Sequence, residues 1–268
     1  MHDASAPATA RSFAPLKMAS GREIRLEYEW VGAARTATNV VVFLHEGLGS
    51  VSMWRDFPSA FCDRHGFAGF VFSRHGYGRS TPKPPHERWG VDFMAEQAND
   101  VLPKLFAAVG IERPWLFGHS DGGTIALLFA ARHPAAGVIA VAPHLFVEDV
   151  SIASIAKARA AYESGELRER LARHHADPDS AFRGWNDAWL APAFRDWNIE
   201  QDIATIACPV LAVQGEDDEY GTIAQIRAIA RRVPQAELLA LADCGHSPHR
   251  DQRERLIDAA GAFIVARS

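Results

Sequence analysis

The chain has 268 residues, 48% of them hydrophobic and 23% charged. These values exclude disordered and fibrous classes, and the length allows a core that needs no disulfide or metal staple. Lys and Arg number 28 against 33 Asp and Glu, a net charge of −5, which argues against nucleic acid or an anionic membrane surface as the main partner. No apolar run approaches the ~20 residues that span a bilayer.

Residues 1–15 are rich in Ala, Ser and Pro, lack the apolar stretch of a secretory signal, and are expected to form a disordered tail. The first predicted strand runs from Ile24 to Trp30. Val40 to Leu44 is continuously apolar, as in a strand buried on both faces. A helix is expected over Phe57 to Arg64, a strand over Phe67 to Ser73, and a helix over Phe93 to Val109 that Pro103 should kink or break. Strand Pro114 to Phe117, helix Gly122 to Arg132 and strand Gly137 to Ala142 follow. The rhythm then stops between Leu145 and Ile203, a helical stretch holding Trp185, Trp189 and Trp197. It resumes with strands Pro209 to Gln214 and Glu237 to Leu241 and helices Ile223 to Val233 and Asp251 to Ala266. This alternation predicts an α/β fold, a mostly parallel central sheet with helices on both faces. The core is assigned to 16–144 and 203–268. Residues 145–202 are assigned to a small helical cap over the sheet's C-terminal edge, where open α/β sheets bind ligands. Cys62, Cys208 and Cys244 form no CxxC pair, so neither a disulfide framework nor a zinc site is indicated and a cytoplasmic setting is expected.

Gly118-His119-Ser120-Asp121-Gly122 matches G-x-S-x-G and lies between a predicted strand and helix. So tight a turn strains the serine, leaves no room for side chains beside it, and sets the Asp121 amide at a helix N-terminus. A nucleophilic serine needs a base, and the base an orienting carboxylate. Gly215-Glu216-Asp217-Asp218 closes one predicted strand, and Asp243-Cys244-Gly245-His246 follows the last. The Gly-rich segment His45-Glu46-Gly47-Leu48-Gly49-Ser50 directly follows a buried strand and can offer a second amide to an oxyanion.

In the order Ser, acid, His, these segments resemble the α/β-hydrolase superfamily, and the likeness runs from Ile24 to Ala266. The resemblance implies an α/β-hydrolase fold with Ser120 as nucleophile, His246 as base and Asp218 as acid, Asp217 being the alternative. It implies oxyanion amides from Gly47 and Asp121. The family's usual H-G reads His45-Glu46 here. Arg74-His75-Gly76-Tyr77-Gly78-Arg79-Ser80 resembles the family's D-x-x-G-x-G-x-S loop with Ser73 for the usual Asp, and is taken as structural. The elbow, cap and G-x-x-D segment are similar to those of valacyclovirase-like esterases, meta-cleavage-product hydrolases and enol-lactonases. Ser at position 120 excludes relatives with an Asp nucleophile.

Glu46 and Asp121 would place two acids beside the oxyanion site. They either pair within the protein, Asp121 also favouring the helix N-terminus, or hold a cationic substrate group. His144, after a strand end, is a candidate pocket residue. Trp185 and Trp189, one helical turn apart, either pack the cap or wall the substrate; Pro192 separates Trp197 from them. His174 and His175 are adjacent and cannot share a helix face as metal ligands. Arg231-Arg232 reads as a solvated helix end. The expected activity is hydrolysis of a small carboxylic ester through an acyl-enzyme, on a small-molecule substrate and without cofactor or metal. The alternatives are hydrolysis of ring-fission products, lactones or thioesters, and a ligand receptor that retains the triad. Oligomeric state is not fixed by the sequence.

Overall fold

A computed structural model describes residues 11–36 and 38–268. Eight strands form one sheet: β1 (Ser12–Lys17), β2 (Glu23–Gly32), β3 (Val40–Leu44), β4 (Ala68–Phe72), β5 (Trp115–His119), β6 (Gly137–Val141), β7 (Val210–Gly215) and β8 (Glu237–Leu241). Their order is β1-β2-β4-β3-β5-β6-β7-β8. β2 pairs antiparallel with both β1 and β4, and every pair from β4 to β8 is parallel. This is the mostly parallel sheet that the alternating pattern predicted, in the α/β-hydrolase arrangement that the resemblance implied.

Strand periodicity explains the core. Along β3, Val42 and Leu44 enter one hydrophobic cluster while Val41 and Phe43 enter the other. β5 and β6 divide the same way, with Leu116, Val138 and Ala140 on one side and Phe117, Ile139 and Val141 on the other. A strand covered on both faces has no polar side, which is why these segments read as unbroken apolar runs.

One expectation needs correction. Of the disordered tail expected over 1–15, residues 1–10 lie outside the described residues, but Ser12 to Pro15 belong to β1. Ala14 and Leu16 are buried on alternate positions while β1 pairs with β2 from Ser12↔Tyr28 to Lys17↔Glu23. An edge strand tolerates Pro15, so composition hid a period of two. The kink at Pro103 takes a definite form. Helix α2 (Phe93–Glu96) passes through a π-helical turn, Gln97–Val101, into α3 (Leu102–Val109), with Pro103 in the first turn of α3. The wider turn accommodates the missing proline N–H.

Between β6 and β7 lie three helices, α5 (Asp149–Glu163), α6 (Glu166–Ala172) and α7 (Pro178–Trp189), which follow α1 (Phe57–His65) and α4 (Asp121–Ala130) in the chain. Asp177 caps α7 by accepting from the Ser180 amide, and Pro178 stands at its first position. The base of this segment is tied by the Ile199 amide donating to the Leu145 carbonyl at 2.7 Å. Three further helices, α8 (Ala224–Arg232), α9 (Pro248–Asp251) and α10 (Arg253–Val265), complete the chain.

Candidate active site

The strand order places the site. From β3 the chain moves outward to β4, then crosses back to β5 on the other side of β3. The loops leaving the C-terminal ends of β3 and β5 therefore diverge and open a crevice. Ser120 stands at that point, between β5 and α4, with φ 54° and ψ −122°, a conformation L-residues rarely adopt. Its amide donates to the Val141 carbonyl at 2.8 Å, and its carbonyl accepts from Gly123 at 2.8 Å and Thr124 at 3.0 Å. These bonds hold the strained turn. The flanking glycines are steric requirements. A Cβ at Gly118 would lie 2.2 Å from the Gly122 carbonyl oxygen, and one at Gly122 would lie 2.1 Å from that of Leu44.

The Ser120 Oγ lies 3.0 Å from His246 Nε2, and His246 Nδ1 lies 2.9 Å from both carboxylate oxygens of Asp218. Nδ1 therefore carries a proton toward Asp218, and the Nε2 lone pair faces the serine. Asp218 also accepts from Tyr220 N at 2.7 Å, Gly221 N at 3.1 Å and Gln214 Nε2 at 2.6 Å. Burial pushes its carboxyl up, but the His246 bond and charge and the Tyr220 amide outweigh burial and hold it below the ordinary carboxylate value. Asp217 is exposed and its amide is tied to the Cys244 carbonyl, so of the two acids Asp218 is the one against the imidazole. The His246 loop is fixed by the adjacent His119, whose Nε2 donates to the His246 carbonyl at 2.6 Å.

Gly47 and Asp121 both line the cavity in front of Ser120. Among the described residues neither backbone amide donates to another protein group, leaving both available to an oxyanion. Gly47 has no space for a side chain: a Cβ there would lie 2.2 Å from Trp185 Nε1. The two acids are taken up within the protein. Glu46 Oε2 lies 3.7 Å from His119 Nδ1. Burial raises the Glu46 carboxyl, but the neighbouring His119 more than reverses this and leaves it well below the ordinary value. The Asp121 carboxylate accepts from Trp189 Nε1 at 3.2 Å and lies 3.7 Å from Arg74 Nη2. Burial dominates there and raises its carboxyl above the ordinary value.

The cavity measures about 170 Å³. His144, Trp185 and Trp189 line it as the sequence suggested, with Asp218 behind His246. Trp197 does not; it packs on Trp189 and stacks on Phe194 at 5.1 Å. Burial and the neighbouring His246 lower the His144 pKa to about 3, so its ring is neutral. Sequence reasoning missed Tyr220, Glu219, Ile155 and His119 as lining residues. Tyr220, two positions beyond the acid, and His119, inside the elbow, were marked by position. Ile155 on α5 carried no signal. His174 bonds to Ser52 Oγ at 2.9 Å and His175 bridges Gly78 and Leu48, so each serves a separate structural contact.

The sequence model of the alpha/beta hydrolase family matches residues 41–259, and the chain belongs to that family. It is 28% identical over 237 residues to "Putative carbamate hydrolase RutD" of Caulobacter sp. (strain K31), covering 79% of this chain and 85% of that protein. Among solved structures, a thermophilic esterase from Thermogutta terrifontis superposes with a TM-score of 0.72 at 20% identity, over 97% of this chain and all of that one. The enol-lactonase from Burkholderia xenovorans LB400 gives 0.70 at 20% identity, over 94% and 99%. The structural likenesses show the shared fold, and the family and its relatives make the chain a hydrolase. Among the described residues no helix is long and apolar enough to cross a membrane.

Proposed function

We propose that the protein is a serine hydrolase that cleaves a small carboxylic ester through an acyl-enzyme. The observation that carries this reading is the continuous chain from Ser120 Oγ through His246 to Asp218, with contacts of 3.0 and 2.9 Å. Ser120 Oγ attacks the carbonyl carbon as its proton passes to His246 Nε2. The carbonyl electrons move to oxygen, which the Gly47 and Asp121 amides stabilise. The intermediate collapses as His246 returns the proton to the leaving alkoxide, giving an acyl-Ser120 ester. Water, deprotonated by His246, repeats the attack and frees the acid. Asp218 stays ionised and stabilises the transient imidazolium.

The cavity's charge bears on the substrate. Glu46, Asp121 and Glu219 line it, no Lys or Arg does among the described residues, and Trp185, Trp189 and Tyr220 supply aromatic walls. This favours a neutral or cationic, apolar-bodied ester over a ring-fission dienoate, whose carboxylate would meet two glutamates without a counter-ion. Carbamate esters join the candidates through the name of RutD.

The test is hydrolysis of short-chain p-nitrophenyl esters by the wild type and Ser120→Ala. Turnover that the variant loses by at least about 10³-fold is the expected outcome. A folded wild type that fails on esters and carbamates alike would overturn the reading. Slow single turnover with a stable adduct would favour a receptor.

A further inference from the structure

Gly47 can donate to an oxyanion only if the Glu46–Gly47 peptide is held in one orientation. A trans peptide points its N–H opposite to its C=O, so whatever binds the Glu46 carbonyl aims the Gly47 amide. No cis peptide occurs among the described residues. The Glu46 carbonyl accepts from His45 Nδ1 at 2.7 Å and from Arg74 Nη2 at 2.9 Å. The His45 tautomer follows from its other nitrogen: Nε2 accepts from the Arg74 amide at 2.9 Å, so the proton is on Nδ1. Arg74 thus acts twice, through its backbone on His45 and through its guanidinium on the carbonyl.

The placement of Arg74 is costly unless it serves something. Its side chain is 1% exposed. Among the described residues its one ion-pair partner is Asp121 at 3.7 Å, and the Tyr77 ring faces it at 4.5 Å. Arg74 Nε and Nη1 find no hydrogen bond among the described residues. A cation so incompletely paired costs stability rather than supplying it. The preceding residue is anchored too: Ser73 Oγ donates to buried Glu27 at 2.9 Å and accepts from the Val51 amide at 2.9 Å.

We propose that Arg74 is a positioning residue for the oxyanion site, clamping the Glu46 carbonyl so that the Gly47 amide faces the carbonyl oxygen of a substrate on Ser120. This rests on the serine-hydrolase reading. Its charge, one peptide away from the developing oxyanion, polarises that amide in the direction the transition state needs. Trp189 joins the clamp to α7, since it donates to the Asp121 carboxylate that faces Arg74.

The experiment compares wild type, Arg74→Lys, Arg74→Met and the double variant Arg74→Met/Asp121→Asn. The double variant removes both buried charges together and so avoids stranding one of them. Each is assayed for kcat and KM on p-nitrophenyl butyrate, for inhibition by a trifluoromethyl ketone that forms a tetrahedral oxyanion on serine, and for Tm. In both Met variants kcat falls roughly 10- to 100-fold while KM stays within about threefold, the scale set by loss or misplacement of one oxyanion donor. Inhibitor affinity falls by the same factor as kcat/KM, and Lys recovers part of both. A folded double variant that keeps kcat and inhibitor affinity within about twofold overturns the proposal while leaving the hydrolase intact. A fall in kcat with unchanged inhibitor affinity also overturns it. Absence of any Ser120-dependent turnover in the wild type instead fells the serine-hydrolase reading, and the clamp with it.

Discussion

Two aspartates lie buried on either side of Ser120, and their surroundings differ in kind. Asp218 receives hydrogen bonds from Gln214, Tyr220 and Gly221, all within four residues of it, and from the imidazole of His246. Asp121 receives one, from Trp189 far along the chain, and faces Arg74 at a distance too long for a hydrogen bond. Burial raises both carboxyls, yet Asp218 ends below its ordinary value and Asp121 above it. The number of donors aimed at a buried carboxylate, rather than burial itself, decides its charge. The difference suits the chemistry: the acid behind the base is held firmly as an anion, and the one beside the oxyanion site is held less firmly.

Of the two sites, Asp218 is the more sensitive to substitution. Asp218→Asn should lower kcat by about 10³–10⁴-fold, since an amide can no longer hold the Nδ1–H tautomer. Asp217→Asn, on an exposed side chain, should stay within about twofold. Equal losses in the two, measured with p-nitrophenyl butyrate, would refute the assignment.

The buried histidines make stability depend on pH. Burial lowers the pKa of His144 to about 3, of His175 to about 4 and of His249 to about 2, and places His45 well below its ordinary value. Each folded value lies below the unfolded ~6.5, so the unfolded chain binds more protons below that pH. Stability is therefore fully present above pH 6.5 and declines as pH falls toward these folded values, by up to about 1.4 kcal/mol per pH unit for each histidine. Asp218 adds a loss only at lower pH. Tm measured from pH 8 to pH 4.5 should fall beginning near 6.5; a flat profile to 4.5 would contradict the buried neutral rings.

A smaller effect is expected at the elbow. Gly122→Ala puts a methyl 2.1 Å from the Leu44 carbonyl oxygen, which is backbone and cannot swing aside. A loss of about 1–3 kcal/mol in urea unfolding is expected, the scale of overpacking. Gly66→Ala, whose Cβ meets open space and whose φ is 74°, costs only its backbone strain and serves as the control.

Legibility follows the same division. The Asp218 turn, the elbow and the His246 loop are local devices, so short segments announced them: a strand end, a glycine pair, a small-residue loop. Glu46 and Asp121 could be named as acids near the oxyanion site, but not resolved. Their partners are His119, Arg74 and Trp189, and only the crossing of β5 over β3 and the course of α7 bring these together. Trp185 and Trp189 were legible as a helical pair, whereas Ile155 enters the cavity only because α5 packs beside α7. β1 was missed because Ala, Ser and Pro are poor strand formers, and its two buried positions gain meaning only beside β2.

Asp121→Asn is the mildest of these substitutions. The amide keeps the backbone N–H that faces the cavity, and its side-chain oxygen can still accept from Trp189. What changes is the charge opposite Arg74 at 3.7 Å. If Asp121 were as firmly anionic as Asp218, neutralising it would strand a buried guanidinium and cost about 3–5 kcal/mol. With its carboxyl raised by burial and its distance from the guanidinium long, the loss should fall below that range, with kcat within tenfold of wild type. Urea unfolding at pH 7.5 beside steady-state kinetics separates the cases. A loss above about 3 kcal/mol would make Asp121 a committed anion and place the two aspartates in one class.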